Sequence, residues 1–381
     1  MNTQHASAFQ RRRALLRLLG AGGLLWPLAG CGPGTGGGFP AGGEPRVSGS
    51  PAAQQALLAL YGQVRDAGEN TVVVYGAAVD AEWEALWLDF QADFPGMRVV
   101  YMHVSPTQVM PRIDAEARAG NRQGDLMMQP VNVMPLIARH GYFEAFSPAT
   151  AEGLDAQYRD AGAFVHYPFC KVFGLAYNTR LVREEELPTR FDDVLQPRWH
   201  ERFSYVKPVT AVGTTDVAFA VLLRQGALDR ARLERLHRAG LFTGPDAGVT
   251  YVSQGRLALN LWSYLAVVAR QRELGAPVAI RFVPDFSLNV PFGFGVIGGA
   301  PHPLAARLLK SWLFSPRGQA ALASKACMLG TMPDAPSPPF YPQAAAERAR
   351  FHPRPPPEAL LRELDTQRAM LRDVFHRPRS L

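Results

Sequence analysis

Trp262, Ser263 and Tyr264 stand consecutively in an otherwise apolar run, "LNLWSYLAVV", and each can stack or hydrogen-bond. An indole and a phenol close together make an aromatic wall with polar edges, which suits a small polar molecule; the same residues also suit a packed core. A second group, Gly213, Thr214 and Thr215 in "AVGTTDVAF", falls where a helix is expected to begin. The first N–H groups of a helix have no internal partner, so the place favours an anion or an ordinary cap. Small or hydrogen-bonding residues recur at Ala77 and Ala78 after "VVVYG", at Ser105 and Thr107 after "RVVYMHV", and at Gln129 after "DLMM". Asp216, Asp285 and Trp262 offer the opposite chemistry, a cage for an amine through ion pairing and cation–π contact. The sign of the ligand charge stays open between these two groups.

Bond-making chemistry has less support. The nine His form no His-Glu-x-x-His, and His166 beside Tyr167 reads as a satisfied imidazole of core or surface. Gly293 to Gly298, "GFGVIG", matches the dinucleotide fingerprint letter for letter, but its glycines lie inside an expected strand. Pro301 and Pro303 follow, and no acidic residue stands about twenty positions on. No Gly-x-Ser-x-Gly elbow occurs. Neither a cofactor nor a metal is expected, and no enzyme activity.

The elements that must position these residues alternate. Leu57, Leu60, Tyr61 and Val64 predict a leading helix, "TVVVYG" a strand, and Trp83, Leu86, Trp87, Phe90 and Phe94 a helix with one apolar stripe, closed by Pro95-Gly96. "RVVYM", "DLMM", "VFGLAYN", "RLALNLW", "PVAIRFV" and "VPFGFGVIGG" read as further strands, separated by helical stretches. A last amphipathic helix uses Leu360, Leu361, Leu364 and Leu371. Alternation of this kind predicts an α/β fold with parallel-type sheets. Ligands of such sheets sit beyond the carboxyl ends of the strands, which is where Ala77, Ser105, Gln129 and Trp262 to Tyr264 fall.

Composition bounds the rest. At 381 residues and 47% hydrophobic, the chain can build two lobes. Four of its seven net positive charges, Arg11, Arg12, Arg13 and Arg17, precede residue 31, and the later Arg are scattered, so nucleic acid is not an expected partner. The start, "RRRALLRLLGAGGLLWPLAGCGPG", reads as an export signal, with Leu28-Ala29-Gly30-Cys31 resembling a lipobox that places lipid on Cys31. Glycine and proline then make residues 32–52 a tether. Cys170 and Cys327 are the other two cysteines, and whether they pair stays open.

The order of "VVVYGAAVDAEWEALWLDFQADFPGMRVVYMHV", "VFGLAYNTRLV", "LPTRFDDVLQPRWHERF", "YVSQGRLALNLWSYLAVVARQRELGAPVAIRFVPD" and "GFGVIGGAPHPLAARLLKSWLFSPRGQAAL" resembles the extracellular solute-binding proteins of bacterial ABC importers, over roughly Thr71 to Pro333. It is most similar to the branch of ferric-iron, phosphonate, thiamine and polyamine receptors. The resemblance implies a two-lobed venus-flytrap (periplasmic binding protein type II), with hinge crossings near Phe173 to Tyr177 and Asn289 to Gly293. It implies lobe 1 at 53–172 plus 290–335, lobe 2 at 173–289, and a helical tail at 336–381. The implied partners are a small-molecule solute, an inner-membrane permease and a lipid anchor, for a monomer on the periplasmic side. In the ferric branch two adjacent tyrosines hold iron; Ser263 replaces the first here, leaving Tyr264 and favouring an anionic or zwitterionic organic solute. Ferric iron, a polyamine, or a cell-surface enzyme or sensor are the alternatives.

Overall fold

The computed structural model describes residues 39, 43–77, 83–208, 214–244, 247–344 and 357–376. Its first stretch runs α1 (Pro51–Ala67), β1 (Thr71–Gly76), α2 (Glu84–Asp93), β2 (Arg98–His103), α3 (Val109–Ala119), β3 (Leu126–Pro130) and α4 (Met134–Arg139). Then come β4 (His166–Asn178), α5 (Phe191–Val194), β5 (Phe203–Tyr205), α6 (Thr214–Arg224), α7 (Arg230–Ala239), β6 (Leu241–Phe242), α8 (Ala247–Ser253), β7 (Leu259–Tyr264), α9 (Leu265–Glu273) and β8 (Val278–Arg281). The chain finishes with β9 (Leu288–Val296), α10 (Pro303–Phe314), α11 (Pro316–Ala326), β10 (Leu329–Gly330) and α12 (Pro357–His376).

Local chemistry sets the ends of these elements. Ser50 caps α1 by accepting from the Ala53 N–H at 3.2 Å, and Gly68 closes it at φ 70°, a left-handed turn that glycine adopts without Cβ strain. The stripe of Trp83, Leu86, Trp87, Phe90 and Phe94 is buried as its spacing predicts. Asp93, at the end of α2, is also buried; it accepts from Trp312 Nε1 at 2.9 Å and from the Arg317 guanidinium at 2.6 and 2.7 Å. Asp125, fully buried before β3, accepts from the N–H groups of Val73 at 2.7 Å and His302 at 2.8 Å. Asp93 thus ties α10 and α11 to α2, and Asp125 ties the start of α10 to β1.

The fold is the expected α/β type, and its sheet is mixed rather than purely parallel. Its order is β2-β1-β3-β9-β4-β7-β5-β6, with β8 and β10 also pairing with β4. Pairing is parallel within β2-β1-β3 and within β7-β5-β6, but antiparallel at β3-β9, β9-β4 and β4-β7. The reason is connectivity: β4 carries the chain from one half to the other, and β9 brings it back, so the two run opposite ways. The glycines of "GFGVIG" serve this packing. A Cβ on Gly295 would lie 2.8 Å from the Phe143 ring, and one on Gly293 2.7 Å from Val165.

Cys170 is a buried thiol and Cys327 a half-buried one. The last helix, α12, lies on α6 and α7, where Phe375 meets the rings of Phe219, Tyr205 and Phe242 at centroid distances of 5.8, 6.0 and 6.3 Å. Among the described residues no helix is long and apolar enough to cross a membrane.

Candidate functional site

Strand register defines the site. β3 ends at Pro130, opposite Phe292 of β9, which lies opposite Phe169 of β4. β7 ends at Tyr264, opposite Phe173 of β4. Because β3 and β7 reach these levels from opposite directions, their carboxyl ends point toward each other. They are separated along β4 by the steps from Phe169 to Phe173, roughly 13 Å at the usual rise of an extended strand. Between them the connection consists of Cys170, Lys171 and Val172 on β4 and Pro291, Val290 and Asn289 on β9.

Lys171 is the one charged residue of β4, in the run "HYPFCKVFGLAYN". It is only 8% exposed, and its Nζ lies 4.3 Å from the centroid of the Tyr264 ring and 5.0 Å from that of Phe292. Alternation explains the grouping: Lys171 and Phe173 share a face of β4, Tyr264 is registered with Phe173, and the two rings lie 5.7 Å apart. An ammonium against two ring faces gains about 0.5–2 kcal/mol from the π quadrupole. Sequence reasoning did not single out Lys171; the available signal was a charge inside an apolar strand, which burial penalises unless it is paired or used.

A bulge turns this strand end. Asn260 and Ser263 of β7 are registered with Ala176 and Gly174, so Leu261 and Trp262 together face Leu175. Trp262 takes φ 51°, a conformation rarely adopted by a bulky residue and costing about 1–3 kcal/mol. The extra residue puts Asn260 and Ser263 on one face: the Asn260 amide donates to Ser263 Oγ at 2.7 Å, and that hydroxyl donates to the Asn260 carbonyl at 2.9 Å. Ser263 is 1% exposed and so holds the bulge. The Trp262 indole, 5% exposed, packs on Phe219 at 4.9 Å and on Phe191 and Phe286 at 6.3 Å, inside the second half. Tyr264 follows the bulge, caps α9, and its phenol donates to Met328 Sδ at 3.1 Å.

The other expected residues fall into two sets. Ala77, Ser105 and Gln129 meet at the ends of β1, β2 and β3: the Ala77 N–H donates to Met128 O at 3.1 Å, and Gln129 Nε2 donates to Val104 O at 2.9 Å. Ser105 Oγ donates to Gln108 Oε1 at 2.8 Å and lies 3.1 Å from the exposed Thr107 Oγ1. In the second half Thr214 and the half-buried Thr215 open α6, with Asp216 buried in its first turn. Ala78, Gly213 and Cys31 lie outside the described residues. The amine cage loses a member, since Asp285 Oδ2 accepts from the Phe191 N–H at 2.7 Å. Among the described residues no group of three or more His, Cys, Asp or Glu gathers to hold a metal ion.

His166 belongs to the core. Its fully buried ring lies 6.0 Å from that of Phe314, and burial, then the charges of Lys310 and Arg159, lower its pKa to about 3. Lys310, buried on α10, donates to Phe146 O at 2.9 Å and is lowered to about 7 by burial, against the opposing pull of Asp160 and Glu144.

Comparison with known proteins follows this geometry. The sequence profile of bacterial extracellular solute-binding proteins matches residues 74–320. A probable ABC transporter periplasmic-binding protein of Sinorhizobium fredii is 24% identical over 259 residues, covering 65% of this chain and 71% of that one. The iron-bound HitA of Pseudomonas aeruginosa superposes with a TM-score of 0.68 at 20% identity, over 80% of this chain and 99% of that one. The periplasmic binding protein AfuA of Actinobacillus pleuropneumoniae, with fructose-6-phosphate bound, has a TM-score of 0.61 at 17% identity, over 78% and 98%.

Proposed function

Because the chain belongs to the bacterial extracellular solute-binding protein family, with the type II periplasmic binding protein fold, we propose that it captures a small anionic or zwitterionic organic solute between the facing ends of β3 and β7. It is the solute-binding receptor of an ABC import system, which places it outside the cytoplasmic membrane, with a membrane permease as its partner. The observation that carries the charge assignment is the Lys171 ammonium 4.3 Å from the Tyr264 ring, on the strand that joins the halves.

A trivalent cation would meet that ammonium at the one phenol retained from the ferric pattern, and like charges in a desolvated place repel strongly. The iron of HitA and the sugar phosphate of AfuA are those proteins' ligands; of the two, an organic phosphate suits a buried lysine better. The proposed contacts come from Ala77, Ala78, Ser105, Thr107 and Gln129 of one lobe (53–172 with 290–335). Gly213, Thr214, Thr215 and Tyr264 supply those from the other (173–289), with Trp262 and Ser263 shaping the strand end. Lipid on Cys31, a monomeric body and the lack of bond chemistry belong to the same proposal.

Thermal-shift screening against organic phosphates, phosphonates, carboxylates, amino acids, polyamines and Fe³⁺ tests it. Organic anions should stabilise the protein, and Lys171→Met should weaken their binding at least tenfold, with Tyr264→Phe weakening it less. Stabilisation by Fe³⁺ or polyamines alone would overturn the charge assignment.

A further inference from the structure

The chain passes between the halves a third time, outside the strands β4 and β9. Thr331 is fixed to the first half: its N–H donates to Pro168 O at 3.0 Å and its hydroxyl to Tyr167 O at 2.6 Å. Gln319 of α11 completes this end, donating from Nε2 to Pro168 O at 3.1 Å and accepting from the Met332 N–H at 3.3 Å. Farther on, Tyr341 lies flat on Phe282, with ring centroids 3.7 Å apart and 12° between planes, and the Arg272 guanidinium stands 5.5 Å from the Phe340 centroid. Phe282 follows β8 and Arg272 lies on α9, so this end belongs to the second half.

The length of the link is close to what it must span. Arg281, next to Phe282, is registered with Leu175, so the ends are separated along β4 by the steps from Pro168 to Leu175, roughly 23 Å at the usual rise of a strand. The chain from Thr331 to Tyr341 reaches at most about 36 Å when fully extended. Part of the difference is held in two turns, where the Ala335 N–H donates to Met332 O at 3.1 Å and the Tyr341 N–H to Pro338 O at 3.0 Å. Pro333, Pro336, Pro338 and Pro339 fix φ between the ends and leave the segment few conformations to exchange.

We propose that residues 331–341 form a strap whose fixed length sets how far the cleft between the halves opens. Opening by more than the length held in the two turns must break the Tyr341 stack or the Thr331 bonds. A receptor restrained in this way loses less of its solute affinity to closing, because apparent affinity scales with the fraction of molecules competent to bind. The proposal rests on the hinged reading of the halves and not on the charge of the solute.

The test measures the distance between the halves in the full, ligand-free chain by double electron–electron resonance. Nitroxides are carried on p-acetylphenylalanine at the exposed Leu88 of α2 and at Leu274 after α9. Wild type should give one narrow distance. Inserting Gly-Ser-Gly-Ser after Ser337 removes neither anchor and adds up to about 14 Å of chain, whereas Tyr341→Ala frees the second end. Both variants should move the distance outward and at least double the width of its distribution. Distributions identical to wild type in both variants would overturn the strap, as would a wild-type distribution already as broad as that of the inserted variant. An inserted variant that melts more than about 5 °C lower with an unchanged distance would assign the segment to stability alone and also overturn it. The hinged reading would fall with the strap only if every compound of the thermal-shift screen, Fe³⁺ included, left the wild-type distance unmoved.

Discussion

Lys171 and His166 lie five positions apart on β4, both buried. Lys171 Nζ lies against the faces of Tyr264 and Phe292. His166 sits beside Phe314 and near Lys310 and Arg159, and stays neutral well into acid. Since its pKa is lowered in the folded state, the unfolded chain binds the proton first. Stability from this group is complete above pH 6.5, declines as pH falls through the window down to about 3, and is flat below it. His166→Leu should flatten the pH dependence of unfolding free energy across that window by up to about 1.4 kcal/mol per pH unit, measured by urea titration at several pH values. An unchanged slope would mean that the imidazole is solvated. Trp262 shows a second lesson of burial: Trp262→Ala removes a ring packed among three phenylalanines, so loss of binding in that variant would come mixed with about 3–5 kcal/mol of lost stability. Lys171→Met and Tyr264→Phe are the cleaner probes.

Among the elements, α10 and α11 are held to α2 by one carboxylate. Asp93 receives the indole N–H of Trp312 and both arms of the Arg317 fork, and Arg46 lies 3.2 Å away. Asp93→Ala should lower stability by about 3–5 kcal/mol, because it strands a guanidinium and an indole N–H in a half-dry place. Denaturant unfolding checks this, and a cost under about 1 kcal/mol would show that water replaces the carboxylate freely. The carboxylate was legible as a residue but not as a tie: its partners lie more than two hundred positions away, at Trp312 and Arg317. Apolar spacing foretold the existence of most helices and strands, since a 3.6-residue or two-residue period is a local property. The bulge at Leu261 and Trp262 was not foretold, because no Gly or Pro marks it; partner register alone imposes it.

For the whole molecule, the strands that join the facing ends of β3 and β7 are short and extended. The proposed capture requires hinge closure around a solute. Small-angle scattering should show a smaller radius of gyration when the stabilising solute is added, and at a hundredfold excess over Kd the protein should gain about 2.7 kcal/mol. A radius unchanged by saturating ligand would mean that the halves are held in one relation, for which α12 on α6 and α7 makes no provision, since it packs within the second half.

The amino-acid sequence by itself determined the alternation of strands and helices, the apolar stripes such as Trp83 to Phe94, and the membership in a solute-receptor family. Each rests on local period or on motif order along the chain. Only the tertiary structure decided the mixed sheet, the interior place of Trp262, and the meeting of Lys171 with Tyr264. Register between strands distant in sequence sets which side chains share a face, and burial then decides which polar groups are left for a ligand.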